Sequence, residues 1–296
     1  MEKCLKSIRK QTYKSFEILV IDGGSKDRTL KIAKKYKAKI LKNPRVDAES
    51  GKSIGIEKSR GQIIALVDAD NELVQENWLM EMLRSLNKHR DLWGAESPWL
   101  LKEDDSIINK YFTLLQIADP VARRFHPVRM KRKDYEDYTI LEPRDKVPVV
   151  GANGFLWRKD FIKQIGKHIP KFEEVNYVSL MMKGGRYKYL KHKKVGIYHY
   201  YSDSVGNYVK KRLKIGRKFL ERKSHRQPTW TDRVGFGEFL RSAFYNVSII
   251  GPTMEALREY KKSRQRAWFL HPFFSFLTVA VYVYTTLEEF FRKVLK

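Results

Sequence analysis

The chain has 296 residues, enough for one large core or for one domain with an appendage. Sixty lysines and arginines against 34 acids leave a formal net charge of +26, which points to polyanions or an anionic membrane face as partners. Cys4 is the only cysteine, which excludes an intramolecular disulfide and a cysteine-based metal site and suits a reducing compartment.

No signal pattern is visible at the start, where Met1–Lys6 opens directly on an amphipathic helix. Phe16–Ile21, Ala38–Leu41 and Ile63–Val67 are short apolar runs separated by lysine-rich helical patterns, an alternation that predicts a mostly parallel sheet covered by helices. The first run ends in Asp22-Gly23-Gly24-Ser25, with Ser25 or Asp27 placed to cap the helix that follows. Residues 50–61 read as a helix closed by Gly61. Gly51-Lys52-Ser53 is not a phosphate-binding loop of the Walker type, because the glycine required five positions earlier is Val46. The third run ends in Asp68-Ala69-Asp70. Alternate strand residues share a face, so these two carboxylates can converge on one hard cation at the carboxyl edge of a sheet, where open α/β folds bind ligands.

From 96 to 150 the rhythm is lost. Ile107–Ile117 looks helical, and Val121–Lys133 is intensely basic. The Gly151-Ala152-Asn153-Gly154 turn allows a backbone to approach a ligand closely. Glu173-Glu174 stands at a helix start, where the dipole favours acids. His199 ends a further strand, and Lys210–Arg217 is a basic helix. Phe236–Met254 is apolar but interrupted by Glu238, Arg241 and Gly251-Pro252. Ala267–Leu287 carries no Asp, Glu, Lys or Arg, is interrupted only by His271-Pro272, and is long enough, at about 1.5 Å per residue, to cross a hydrocarbon core. Lysines and arginines flank it on both sides, and Trp268, Tyr282 and Tyr284 resemble interface anchors. A buried helix of a soluble protein is the alternative.

The order of the Asp22 strand end, the Asp68-Ala69-Asp70 strand end, the 149–160 segment, Glu173-Glu174 with Gly184-Gly185 downstream, and Val195–Tyr200 resembles glycosyltransferase family 2 over roughly residues 1–220. The resemblance implies a GT-A fold, Rossmann-like, over residues 1–222, with a C-terminal membrane-associated helical segment over 223–296. It also implies an inverting transferase that uses a nucleotide sugar (a GDP- or UDP-sugar, GDP-mannose among them) and Mg²⁺ or Mn²⁺. Asp70 then ligates the metal, with Asp68 assisting or holding the ribose, and His199 joins as a further metal or diphosphate ligand. Asp22 faces the base, while Lys52 and Arg212 hold the diphosphate. Glu174 takes the general-base position, with Asn176 where a further acid often sits in the family.

In the family a strand precedes the first helix here and forms part of the nucleotide pocket; the expectation is a chain shortened at that end. The Gln-x-x-Arg-Trp signature of polymerising relatives is missing. The acceptor expected is a lipid-linked polyprenyl or dolichyl phosphate glycan, reached at the cell membrane from its cytoplasmic side, with the Arg123–Lys133 run gathering phosphates. A polyprenyl-phosphate sugar synthase is the nearest alternative. A nucleic-acid-binding module has charge alone behind it, since the lysines are spread over many helices rather than one face, so no nucleic-acid partner is expected.

Overall fold

The computed structural model describes residues 1–125, 128–166, 171–224 and 236–295. His126 and Pro127 of the basic run, and Lys296, lie outside the described residues. The chain opens on helix α1 (Glu2–Arg9), which buries Cys4, Leu5 and Ser7. Strand β1 (Leu19–Asp22), α2 (Thr29–Lys35), β2 (Lys39–Lys42), α3 (Ala48–Lys58) and β3 (Ile63–Leu66) then follow the expected alternation. The α3 start is set by Asp47, whose side chain accepts the Ser50 amide at 2.8 Å, a cap that satisfies one of the free N–H groups of the first turn.

After β4 (Asn71–Leu73), α4 (Trp78–Asn87) buries Trp78, Met82 and Leu86, one residue per turn along one stripe. Next come β5 (Gly94–Glu96), α5 (Ile107–Leu115), α6 (Pro120–Phe125), β6 (Met130–Asp134), β7 (Tyr138–Pro143), β8 (Phe155–Arg158), α7 (Lys159–Gly166), α8 (Glu174–Lys183), β9 (Tyr189–His192) and β10 (Ile197–His199). The remainder is helical: α9 (Val205–Ser224), α10 (Phe236–Val247), α11 (Ile250–Ser263), a 3₁₀ turn at Arg266–Leu270, and α12 (His271–Val294).

Six strands form a mixed sheet in the order β3-β8-β5-β9-β7-β6, while β1–β2 and β4–β10 are separate two-stranded pairs. Among the named strands of the described residues, parallel pairing is confined to β1–β2 and β5–β9. The helix–strand alternation runs through β3, yet β3 itself pairs only with β8, antiparallel. The hairpin β6–β7 and the returning β8 then enter antiparallel, so the sheet is mixed where the alternation alone predicted a mostly parallel one. β8 shows why its segment reads as continuously apolar. Phe155 and Trp157 face a cluster with Trp93 and Tyr189, whereas Leu156 between them faces the opposite cluster with Trp78 and Leu190. Gly94 on β5 is obligatory at this crossing, because a Cβ there would fall 2.2 Å from the Phe155 ring.

The chain groups into two compact units, residues 1–100 with 128–199 and residues 101–127 with 200–296. This grouping differs from a division at residue 222, which would cut α9. It draws α5 and α6, the stretch where the α/β rhythm fails, together with the C-terminal helices. The core of the second unit is built from Tyr111, Phe112, Tyr208, Trp268 and Phe274.

Candidate active site

The site grows from the end of β3. Beyond Leu66 the chain turns, with the Asn71 amide donating to the Asp68 carbonyl at 2.9 Å and the Asp68 amide donating to Asn71 Oδ1 at 3.0 Å. The turn returns as β4, and β4 pairs with β10 in a register that sets His199 opposite Asn71. That register brings the His199 imidazole beside Asp70, Nε2 to Oδ1 3.6 Å. His199 is buried, with the Trp99 ring edge-on at 4.3 Å between centroids. Among the described residues no group of three or more His, Cys, Asp or Glu side chains is arranged to hold a metal. The Asp70 carboxylate is a donor that suits Mg²⁺ or Mn²⁺, and the imidazole beside it is a softer donor that Mn²⁺ accepts more readily than Mg²⁺.

Lys52, on α3, forms an ion pair with Glu174 at the first turn of α8, 122 residues away in sequence. Burial alone would lower the Lys52 pKa. The Glu174 and Asp68 carboxylates outweigh burial, so the ammonium holds its proton above the ordinary lysine range. Glu173 sits at the N-cap position of α8 and accepts from Asn176 Nδ2 at 2.7 Å.

The glycine turn locates Glu174. Gly151 has φ of +104°, and a Cβ there would lie 2.3 Å from Trp157 Cζ2 and 3.3 Å from Glu174 Cβ. Gly154, at φ +74°, donates its amide to the Leu66 carbonyl at 2.9 Å, tying the turn to the end of β3. Both positions need the left-handed conformation that glycine adopts at little cost. Between them, the Asn153 amide oxygen is buried without a hydrogen-bond partner.

Asp22, at the end of β1, accepts the Gly24 amide at 3.0 Å and the Ser25 amide at 3.1 Å. Hydrogen bonds from Ser25 and Gly24 hold its carboxyl below the usual carboxylate range. Asp22, Lys52 and Asp68 all line one cavity of about 1770 Å³, whose walls include β1 and β3. The two strands are not joined through a common sheet among the described residues.

Arg212 lies in the second unit. Its buried guanidinium bonds Asp119 at 3.0 Å and the Tyr201 hydroxyl at 2.6 Å, and Tyr282 donates to the same Asp119 carboxylate. Within the basic run, Arg123 of that unit pairs with Glu255 at 3.6 Å, and Arg129 of the first unit pairs with Asp145 at 2.9 Å.

Three features went unread in the sequence. They are the Lys52–Glu174 pair, the orphaned Asn153 oxygen, and Trp99 against His199. Only the second had a local signal, the glycines that bracket Asn153.

A mixed central sheet flanked by helices is the architecture of the GT-A fold. The model of glycosyl transferase family 2 matches residues 1–165, and the chain belongs to that family. A mannosyltransferase from Pyrobaculum calidifontis, solved in complex with GDP-Man and Mn²⁺, shares the GT-A fold at a TM-score of 0.53 and 11% identity, over 95% of this chain and 81% of that one. Glycosyltransferase AglE of Haloferax volcanii is 27% identical over 135 residues, 42% of this chain and 44% of AglE. The uncharacterized glycosyltransferase YibD of Escherichia coli is 30% identical over 105 residues, 34% of this chain and 30% of YibD. The chain thus matches less than half the length of these two curated relatives.

Proposed function

We propose that the chain is a metal-dependent, inverting glycosyltransferase that moves a sugar from a nucleotide donor to a lipid-linked acceptor at the cytoplasmic face of the membrane. The observation that carries this reading is the pairing of Asp70 with His199 at the end of β3, one turn from Asp68 and within the same unit as the Lys52–Glu174 pair. Asp70 and His199 would hold Mg²⁺ or Mn²⁺, which neutralises charge on a departing nucleoside diphosphate. Asp68 and Asp22 flank the cavity that takes the nucleoside, and Lys52 supplies a cation for the diphosphate. GDP-mannose is the first donor to test, given the ligand of the Pyrobaculum neighbour.

Glu174 accepts the proton of the acceptor hydroxyl as the hydroxyl oxygen bonds the anomeric carbon. The bond from that carbon to the diphosphate breaks, its electron pair leaving with the nucleotide. A carboxylate paired to an ammonium is a poor base. In this reading Lys52 exchanges Glu174 for the diphosphate when the donor binds, which frees the carboxylate for the acceptor.

The same ion pair favours a second reading, a polyprenyl-phosphate sugar synthase, whose phosphate acceptor needs no base and leaves Glu174 to position Lys52. Thermal shift against a nucleotide-sugar panel, with and without Mn²⁺, identifies the donor. Turnover of Glu174→Gln with hydroxyl and phosphate acceptors separates the two readings. A chain that shows no metal-enhanced shift with any nucleotide sugar overturns both.

A further inference from the structure

The residues from Arg266 to Val294 form the one stretch among the described residues that is long and apolar enough to span a bilayer. Its packing argues against a span. α12 buries His271, Phe274, Ser275, Thr278, Val281 and Thr285, a stripe at helical spacing in which four of the six are polar. α9 lies along this stripe and runs parallel to α12. The Tyr208 hydroxyl meets Thr278, Arg212 meets Tyr282, and Arg217 forms a two-pronged ion pair with Glu288 at 2.7 and 2.8 Å. Between these levels, Gly216 lets the helices close, since a Cβ there would lie 2.8 Å from Thr285 Oγ1. Over the same rise α9 carries Lys210, Lys211, Lys214 and Lys218. A bilayer crossed by α12 would therefore draw α9 into hydrocarbon, where each ammonium is expensive.

The opposite surfaces are apolar. Phe276 and Phe290 are exposed on α12, Phe244 and Val247 on α10, and Ile250 and Met254 on α11, the last two pairs one turn apart and the first about four turns. Phe244 is 77% and Ile250 73% exposed, values that leave these side chains in water unless something covers them. Cations border the stripes: Lys261, Lys262, Arg264 and Arg266 before α12, Arg292 and Lys293 at its end.

We infer that α10, α11 and α12 lie in the plane of one membrane leaflet, apolar stripes sunk among the acyl chains, and that α12 does not cross. The occupant of the exposed stripes is an anionic phospholipid monolayer. Its headgroups meet the bordering cations, and its acyl boundary meets the phenylalanines. Tyr284, exposed on α12, is a side chain that a membrane interface favours, whereas Trp268 is buried in the core of the unit. This inference rests on the membrane part of the function proposed above and replaces a span with an in-plane anchor.

The test uses the full chain with Cys4→Ser, so that single cysteines can be placed at Lys262→Cys and, separately, at Lys293→Cys. Both positions carry exposed side chains that tolerate exchange. Sealed membrane vesicles containing each variant are treated with a membrane-impermeant maleimide, before and after detergent. An in-plane anchor keeps both ends of α12 on one face, so the two thiols react alike: both before detergent or both only after it. One reacting before and the other only after shows a span and overturns the inference, while leaving membrane attachment intact. A bimane on Phe276→Cys should be quenched best by a spin label roughly 5–10 Å below the headgroup boundary. Strongest quenching at the bilayer centre overturns the inference as well. Release of the chain from vesicles without detergent would instead remove the membrane part of the proposed function, and this inference with it.

Discussion

Both units bury an aromatic core, but they differ in the polar groups they hold inside and the apolar ones they leave outside. In the first, Trp93, Phe155, Trp157 and Tyr189 pack inside while lysines cover the surface, and buried Asn71 and His199 stand beside the partly exposed Asp70. In the second, the interior holds the Arg212–Asp119–Tyr282 network, the Tyr111–His271 bond at 2.8 Å and the Tyr208–Thr278 pair, while phenylalanines and leucines face outward. A unit ordered by water hides its apolar side chains. A unit that leaves them outside and binds its polar groups to each other is matched to a less polar surrounding. Hydropathy along the chain marks α12 in either case; only the side on which its Ser and Thr lie tells what it touches.

The sharpest way to break the contrast is to show that the polar cluster of the first unit has no chemistry in it. Asp70→Ala should abolish sugar transfer and metal-stimulated nucleotide binding while the fold survives, because the side chain is a third exposed and packs little. Unchanged transfer, or full activity in saturating chelator, would reduce the Asp70–His199 pair to a structural contact. Glu174→Gln should lower turnover onto a hydroxyl acceptor by about 10²–10⁴-fold, the range for a positioned base, with donor binding little changed. If it weakens donor binding instead, the pair with Lys52 serves the nucleotide.

How much of this was legible follows the range of the interactions. The strand ends carrying Asp22 and Asp68-Ala69-Asp70 are local, and the apolar runs that feed them were visible at once. The His199–Asp70 approach depends on pairing β4 with β10, about 130 residues apart, and no local pattern encodes that register. The Lys52–Glu174 pair is equally non-local. The mixed sheet escaped for a related reason: an apolar run buried on both faces, such as Phe155–Trp157, reads the same whether its neighbours run parallel or antiparallel. Arg212 shows the limit most clearly. A cation in a basic helix reads as a phosphate ligand or a solvated charge, and its burial against Asp119 is a tertiary fact.

That burial sharpens the comparison from the other side. Arg212→Met removes the guanidinium from the largely buried Asp119 carboxylate, a change that costs about 3–5 kcal/mol for fully buried pairs and less here, where Tyr282 still donates to it. The variant should melt markedly lower, and Arg212→Met with Asp119→Leu should recover much of the loss. A variant of unchanged stability with impaired donor binding would instead make Arg212 a diphosphate ligand.

The smallest effect tests whether the first unit is dry beneath its acidic turn. Cys4, on α1, places its sulfur 3.6 Å from the Asp68 carbonyl, and burial, with Asp68 and Asp70 nearby, pushes its pKa up to about 11. The thiolate is the reactive form, so at pH 8 only about one molecule in a thousand presents it. Iodoacetamide should therefore modify Cys4 at least about a hundredfold more slowly in the folded chain than in denaturant, and the folded rate should rise about tenfold between pH 8 and pH 9. Mass spectrometry of timed, quenched samples gives both rates. Modification at the unfolded rate would mean that α1 leaves the turn open to water, and the first unit would then lack the buried support that distinguishes its site from the interior of the second.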